Sequence, residues 1–197
     1  MSVNEVFPEM TDVMTPFVEV CHQLYQKEYV CAYDGNVSMR FDNVVLATPT
    51  HLCKGVITAE DLIVVDMAGH QLAGERNPTS ELKVHLAVYQ NNPEVTCIIH
   101  AHPLYATAFY REGRRVNASV LTEAEATLGV VPVVPHYEPG SVELAEAVGC
   151  AMQGKVCACI MENHGVVVGG KDLEETYFLL TSLERLAKTE YLMANLK

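Results

Sequence analysis

Val95-Thr96-Cys97-Ile98-Ile99-His100-Ala101-His102-Pro103 is the stretch from which the rest of the chain can be read. Four of the five residues from Val95 to Ile99 are β-branched, a composition that favours a strand running into the interior. Side chains alternate faces along a strand, so His100 and His102 point the same way, roughly 6–7 Å apart along the backbone. Pro103 then ends the strand, because it has no N–H for the ladder. Two imidazoles on one side of a strand end can chelate a single metal ion, or they can be polar groups facing water.

Two further stretches bear on that choice. Residues 156–161 read as a buried strand delivering Glu162-Asn163-His164-Gly165, with Val166-Val167-Val168-Gly169-Gly170 beyond. The polar triplet is either a plain hairpin turn or the carrier of a third ligand, His164, with Gly165 free to take unusual φ/ψ. Upstream, Pro78 with Thr79 and Ser80 marks a helix start, and the helix runs to about Asn91, before Pro93. Two hydroxyls beside free backbone N–H groups make either ordinary caps or an anion site. Glu81 and His85, four apart, share a face of that helix, as a metal-binding or ion-pairing couple does.

The remaining segments are short. Residues 11–29 carry a helical pattern through Val13, Phe17, Val20, Leu24 and Tyr25, with Thr11 or Asp12 as N-cap. Asp34-Gly35-Asn36 is a turn opening into a strand, and Val44-Val45-Leu46-Ala47 runs into Thr48-Pro49-Thr50-His51. Thr58-Ala59-Glu60-Asp61 starts a short helix, followed by strands at 62–65 and 71–73 around a turn at 66–69. Later come a helix from Leu104 to Arg111, a short segment carrying Glu123 and Glu125, and a strand at 130–134. A helix starting at Gly140-Ser141 ends near Gly154, and a long amphipathic helix runs from Asp172 almost to Lys197. Short strands with close turns predict antiparallel hairpins, and no GxGxxG follows a strand, so a dinucleotide-binding fold has no support.

A chain of 197 residues that is 49% apolar and 19% charged suits one domain, 1–197, with a sizeable core. The net charge of -12 disfavours nucleic acid and anionic membranes as partners. An anionic substrate would need local devices: a metal, a helix N-terminus or a few placed hydroxyls. The seven cysteines form no CxxC pair and are expected to be mostly buried thiols in a reducing cytosol; Cys157 and Cys159, flanking Ala158 on a strand, could instead chelate. No apolar run approaches the 18 residues of a membrane span, and no leader pattern opens the chain, so the expected location is cytoplasmic.

Together these stretches resemble the class II aldolase and adducin head-domain family. The resemblance rests on Gly35-Asn36-Val37-Ser38, Thr48-Pro49-Thr50, Pro78-Thr79-Ser80-Glu81 with His85, His100-Ala101-His102-Pro103 and Asn163-His164-Gly165, in that order. It implies an α/β (α+β) three-layer sandwich, a mainly antiparallel sheet flanked by helices, assembled as a homotetramer with sites between subunits. It also implies that His100, His102 and His164 hold one divalent ion per chain, Zn2+ or another such as Co2+, Mn2+ or Ni2+. Glu81 would be a fourth ligand or the catalytic base. Gly35, Asn36, Thr50, His51, Thr79 and Ser80 fall on the family's phosphate pocket.

The activity so implied is retro-aldol cleavage of a small ketose 1-phosphate, such as L-fuculose 1-phosphate, to dihydroxyacetone phosphate and an aldehyde through a metal-stabilised enediolate. Two departures bear on it. His51 stands where the aldolases follow Thr-Pro-Thr with glycine, and residues 116–128 hold no tyrosine to serve as acid, with Leu121 about where it would fall. Glu123 lies close by, which opens dehydration or decarboxylation of a sugar phosphate or sugar acid as the alternative. A non-catalytic adducin-like interaction module is the third reading.

Overall fold

The computed structural model describes residues 1–110 and 114–196. Its eight strands are β1 (Asn36–Phe41), β2 (Val44–Ala47), β3 (Ile63–Asp66), β4 (Gln71–Ala73), β5 (Cys97–Ala101), β6 (Val133–Val134), β7 (Ala158–Met161) and β8 (Gly165–Gly170). They form one sheet in the order β4-β3-β2-β1-β5-β8-β7-β6. Neighbours pair antiparallel except β6 and β7, which are parallel, with Val133 opposite Ile160. That exception has a topological cause: α6 (Val142–Ala151) carries the chain from β6 to β7, and a helical crossover is what a parallel pair requires.

Alternation along β5 distributes its side chains between two cores. Cys97, Ile99 and Ala101 join a cluster with Phe17, Leu24, Leu180, Leu183 and Leu186, which belong to α2 (Thr11–Gln26) and α7 (Leu173–Asn195). Ile98 faces the other way, onto Val84, Val88, Leu144 and Val148 of α3 (Leu82–Asn91) and α6. The result is helix, sheet, helix. Each fully buried Ile, Leu or Val in those layers contributes roughly 1.5–3 kcal/mol. β5 lies at the centre of the sheet, and its register sets His100 opposite Asn36 of β1 and Val167 of β8.

Several local expectations change. Thr11 and Asp12 lie inside α2 rather than capping it, because a 3₁₀ turn at Pro8–Met10 leads straight into the helix. The strand expected at 130–134 pairs only at Val133 and Val134, and the helix after Ser141 stops at Ala151. The helix opening at Leu104 (α4) is described to Phe109; Arg111 lies outside the described residues, as does Lys197. Of the cysteines only Cys21, Cys97 and Cys159 are buried; Cys31 and Cys150 are exposed, and all seven are free thiols. Among the described residues no helix is long and apolar enough to cross a membrane.

Candidate metal centre and anion pocket

His100, His102 and His164 come together, with ligand nitrogens all within 4.8 Å of one another, as a cluster able to bind a metal ion. Their ring centroids lie 4.8, 4.9 and 5.5 Å apart. His100 is the penultimate residue of β5, His102 directly follows the strand, and His164 sits in the turn between β7 and β8. The expectation that Gly165 takes an unusual backbone angle is not met. Asn163 takes the left-handed conformation, φ 57°, and Gly165 is plain strand. Glycine is needed there for space: a β-carbon would meet the His102 ring and, at 2.5 Å, the Ala101 carbonyl oxygen.

Hydrogen bonds fix which ring nitrogens face inward. His100 Nδ1 lies 2.9 Å from the Val166 carbonyl oxygen, which can only accept, so Nδ1 carries the proton. His102 Nδ1 likewise donates to Asp34 Oδ2 at 3.1 Å. Both Nε2 atoms therefore turn lone pairs to the centre, where they stand 3.1 Å apart. Glu81 adds a third acceptor, its Oε2 only 2.8 Å from His100 Nε2. Its Oε1 lies 3.2 Å from His164 Nε2 but accepts no hydrogen bond, and His164 Nδ1 has no partner among the described residues.

Acceptors facing acceptors require a positive charge between them. The protein supplies a proton where it has nothing else. Burial opposes charge on His100, but the Glu81 hydrogen bond outweighs it and raises the imidazole above its ordinary value. Burial likewise favours the acid form of Glu81, yet the His100 hydrogen bond and the surrounding imidazole charge hold it at about 2. His164 goes the other way, pushed down to about 4 by burial and by the charge on His100. A divalent cation satisfies the same donor set without protonation: neutral imidazole nitrogens plus a carboxylate are the ligands of catalytic zinc. The residues fit a metal.

Asp34 is the participant that sequence reading left as a turn residue. Besides His102, its carboxylate accepts from the Cys31 N–H at 2.6 Å. The pairing of a carboxylate with a ligating histidine orients the ring and raises its basicity, and losing such a partner costs about 10–100-fold in metal affinity. Asp34→Asn should weaken zinc binding by about that factor, measured by competition with a chromophoric chelator. Buried Lys54, with Nζ 3.2 Å from the Tyr33 carbonyl and 3.0 Å from that of Leu52, ties down the two loops that carry Asp34 and His51.

Of the six residues expected to hold an anion, Thr79 and Ser80 lead into α3, Thr50 is tied to that lead-in, and Asn36 meets His85 of the helix. Gly35 takes φ 66°, and a β-carbon there would meet Val30 and, at 2.9 Å, the His100 carbonyl. Thr50 is set beside 77–79 by a Pro49–Pro78 bridge and by its N–H on the Asn77 carbonyl at 3.0 Å. α3 begins at Leu82, not at Thr79; Thr79 and Ser80 form the turn before it, with the Thr79 hydroxyl 3.4 Å from the Glu81 N–H. Pro78 accordingly marks the turn rather than the first helical position. His51 is exposed and left-handed, φ 54°, a conformation that suits the glycine the aldolases carry. Its ring meets Tyr33 edge-on, with centroids 6.5 Å apart.

Glu123 is exposed on α5 (Thr122–Leu128), and the cavity that it lines is shared with Lys171, Glu175 and Phe178 of the α7 end, not with the histidines. His85 turns away from the metal centre into a buried contact with Asn36 and Ser38, and burial pushes its pKa down to about 3. A folded-state value below the ordinary 6.5 means that the unfolded chain binds more protons. Stability should therefore rise with pH between those two values and be lost on acidification. Urea midpoints recorded down that range should fall less steeply in His85→Gln than in the natural chain.

Comparison with known proteins supports the same grouping. The chain is 38% identical to the L-fuculose phosphate aldolase of Methanococcus maripaludis over 184 residues, 93% of this chain and 99% of that one. It is 33% identical to the 3-oxo-tetronate 4-phosphate decarboxylase of Pectobacterium atrosepticum, covering 91% of this chain and 84% of that one. The L-fuculose-1-phosphate aldolase structure from Thermus thermophilus superposes with a TM-score of 0.84 at 27% identity, covering 93% and 95% of the two chains. The family model for the class II aldolase and adducin N-terminal domain matches residues 16–191, and with that match the chain belongs to this family.

Proposed function

We propose that the protein is a divalent-metal-dependent lyase, one catalytic domain over 1–197, that cleaves a small ketose 1-phosphate to dihydroxyacetone phosphate and an aldehyde. The observation that carries the reading is the convergence of His100, His102 and His164, with the Glu81 carboxylate against His100 and His164 and its Oε1 left without a hydrogen bond among the described residues. His100, His102 and His164 would hold the ion, zinc in the first instance. When bound, such an ion polarises a substrate carbonyl and hydroxyl and stabilises the negative charge left when the C–C bond breaks.

The chain's own residues supply the rest. Glu81 would take the proton and return it through Oε1, the oxygen that accepts no hydrogen bond among the described residues. Gly35, Asn36, Thr50, His51, Thr79 and Ser80 would hold the phosphate through backbone N–H groups, hydroxyls and an amide beside the start of α3. This places the anion where a chain of net charge -12 can tolerate it. Glu123, remote from the histidines of its own chain, would supply an acid to a neighbouring copy, which makes a homotetramer part of the proposal.

Decarboxylation is the second reading, favoured by the likeness to the tetronate decarboxylase and by Leu121 standing where an aldolase tyrosine would be. One assay separates the two. Purified protein is analysed for metal and given a panel of ketose 1-phosphates, with coupled detection of triose phosphate. About one metal per chain with triose phosphate released supports the aldolase; metal with CO2 released from 3-oxo acid phosphates, and no triose phosphate, supports the decarboxylase. Absence of metal after reconstitution with zinc, cobalt or manganese overturns both.

A further inference from the structure

Between β1 and α3 lies a buried row of four polar side chains with unlike ends. Tyr89 is 1% exposed among the apolar residues of the α3–α6 layer, and its hydroxyl lies 2.7 Å from Ser38 Oγ. Ser38 Oγ is 2.6 Å from His85 Nδ1, and His85 Nε2 is 2.5 Å from Asn36 Oδ1. Ser38 is fully buried and His85 nearly so, at 1% exposure. Asn36 closes the row at its other end, in register with His100, and no hydrogen bond among the described residues uses its Nδ2.

Such a row can run in two directions, and the tyrosine decides between them. In one, Tyr89 donates to Ser38, Ser38 to His85 Nδ1, and His85 Nε2–H to Asn36 Oδ1; every buried proton has an acceptor. In the other, Asn36 donates to His85, His85 to Ser38 and Ser38 to Tyr89, and the phenol proton is left inside an apolar layer with no acceptor. An orphaned buried donor costs about 1–3 kcal/mol, enough to set the direction. The first direction leaves the Asn36 N–H groups free to meet the proposed anion; the second would offer it a carbonyl oxygen, which repels an anion.

We propose that Tyr89, Ser38 and His85 form a one-way hydrogen-bond relay that fixes the Asn36 amide with its N–H groups toward the pocket, making that subsite selective for a phosphate-type oxyanion. The proposal rests on the anion-pocket reading above. It makes His85 a positioning residue, acting through Asn36 and not on the substrate. Burial keeps the ring neutral, so one nitrogen stays an acceptor, as the relay needs.

Two readouts test it on the full-length, metal-loaded protein. Long-range proton–nitrogen spectra of histidine-labelled protein should show His85 protonated at Nε2 and bare at Nδ1 near neutral pH, with the signal identified by its loss in His85→Gln. Binding of inorganic phosphate should weaken about tenfold in His85→Leu, the size of one hydrogen bond, at unchanged metal content. In His85→Gln, whose amide N–H replaces Nε2–H, it should stay within roughly threefold of the natural chain. An Nδ1–H tautomer overturns the relay, and so does a folded His85→Leu protein that binds phosphate as the natural chain does. Should His85→Leu not fold, His85→Gln and the tautomer still decide. A natural protein that ignores phosphate sinks the anion pocket and the selectivity with it, whichever nitrogen of His85 carries the proton.

Discussion

His102→Ala should strip the protein of metal and of turnover together. His102 contributes one of the three converging imidazoles, and it is the one held by Asp34. Losing an outer partner costs about 10–100-fold in affinity, so losing a direct ligand costs more than that. With two imidazoles left, metal content after dialysis should fall from about one per chain toward zero, and kcat/KM by at least roughly a thousandfold. The fold should survive, since His102 lies beyond the end of β5 and is only part-buried. Elemental analysis, a steady-state assay and circular dichroism on one preparation would check all three statements. Full activity in a metal-free His102→Ala protein would defeat the metal reading outright.

Glu81→Gln should separate what His102→Ala removes together. The amide is the same size as the carboxylate, so it fills the same space beside His100 Nε2, 2.8 Å from the carboxylate, and leaves that nitrogen's lone pair to the ion. The three imidazoles remain, and metal content should stay near one per chain. What disappears is the basic oxygen, the unbonded Oε1. A positioned general base contributes about 10²–10⁴-fold, so kcat should drop by that factor while KM moves little. A Glu81→Gln protein that loses its metal would instead identify Glu81 as a structural ligand. Retained turnover would assign proton transfer to another group.

Most of this site was legible because its parts are short and local. His100 and His102 are two apart on a strand, and strand alternation alone brings them to one side. Asn163-His164-Gly165 and Pro78-Thr79-Ser80-Glu81 stand out as polar interruptions between apolar runs. Short strands and close turns predict antiparallel pairing, from which the parallel β6–β7 pair departs, while the layered sandwich was an implication of the family resemblance. What stayed hidden depends on contacts distant in sequence. Asp34 and His102 meet across 68 positions, and Ser38 and Tyr89 across 51. No periodicity reports such a meeting. Gly165 was misread for a related reason: glycine in a turn suggests a backbone angle, whereas this one answers to a ring from another strand.

The cluster of acceptors also shapes the energy of the folded chain. Two imidazole nitrogens at 3.1 Å, a carboxylate at 2.8 Å and an unpaired Oε1 form a frustrated patch in an otherwise consistent sheet. The patch is drawn from segments as far apart in sequence as Glu81 and His164, so it exists only in the folded chain. A cation that binds there prefers the native state, and at a hundred times its Kd adds about 2.7 kcal/mol of stability. Occupancy and folding are thus one equilibrium: the melting temperature reads the free-ion concentration, and a chelator acts as a mild denaturant.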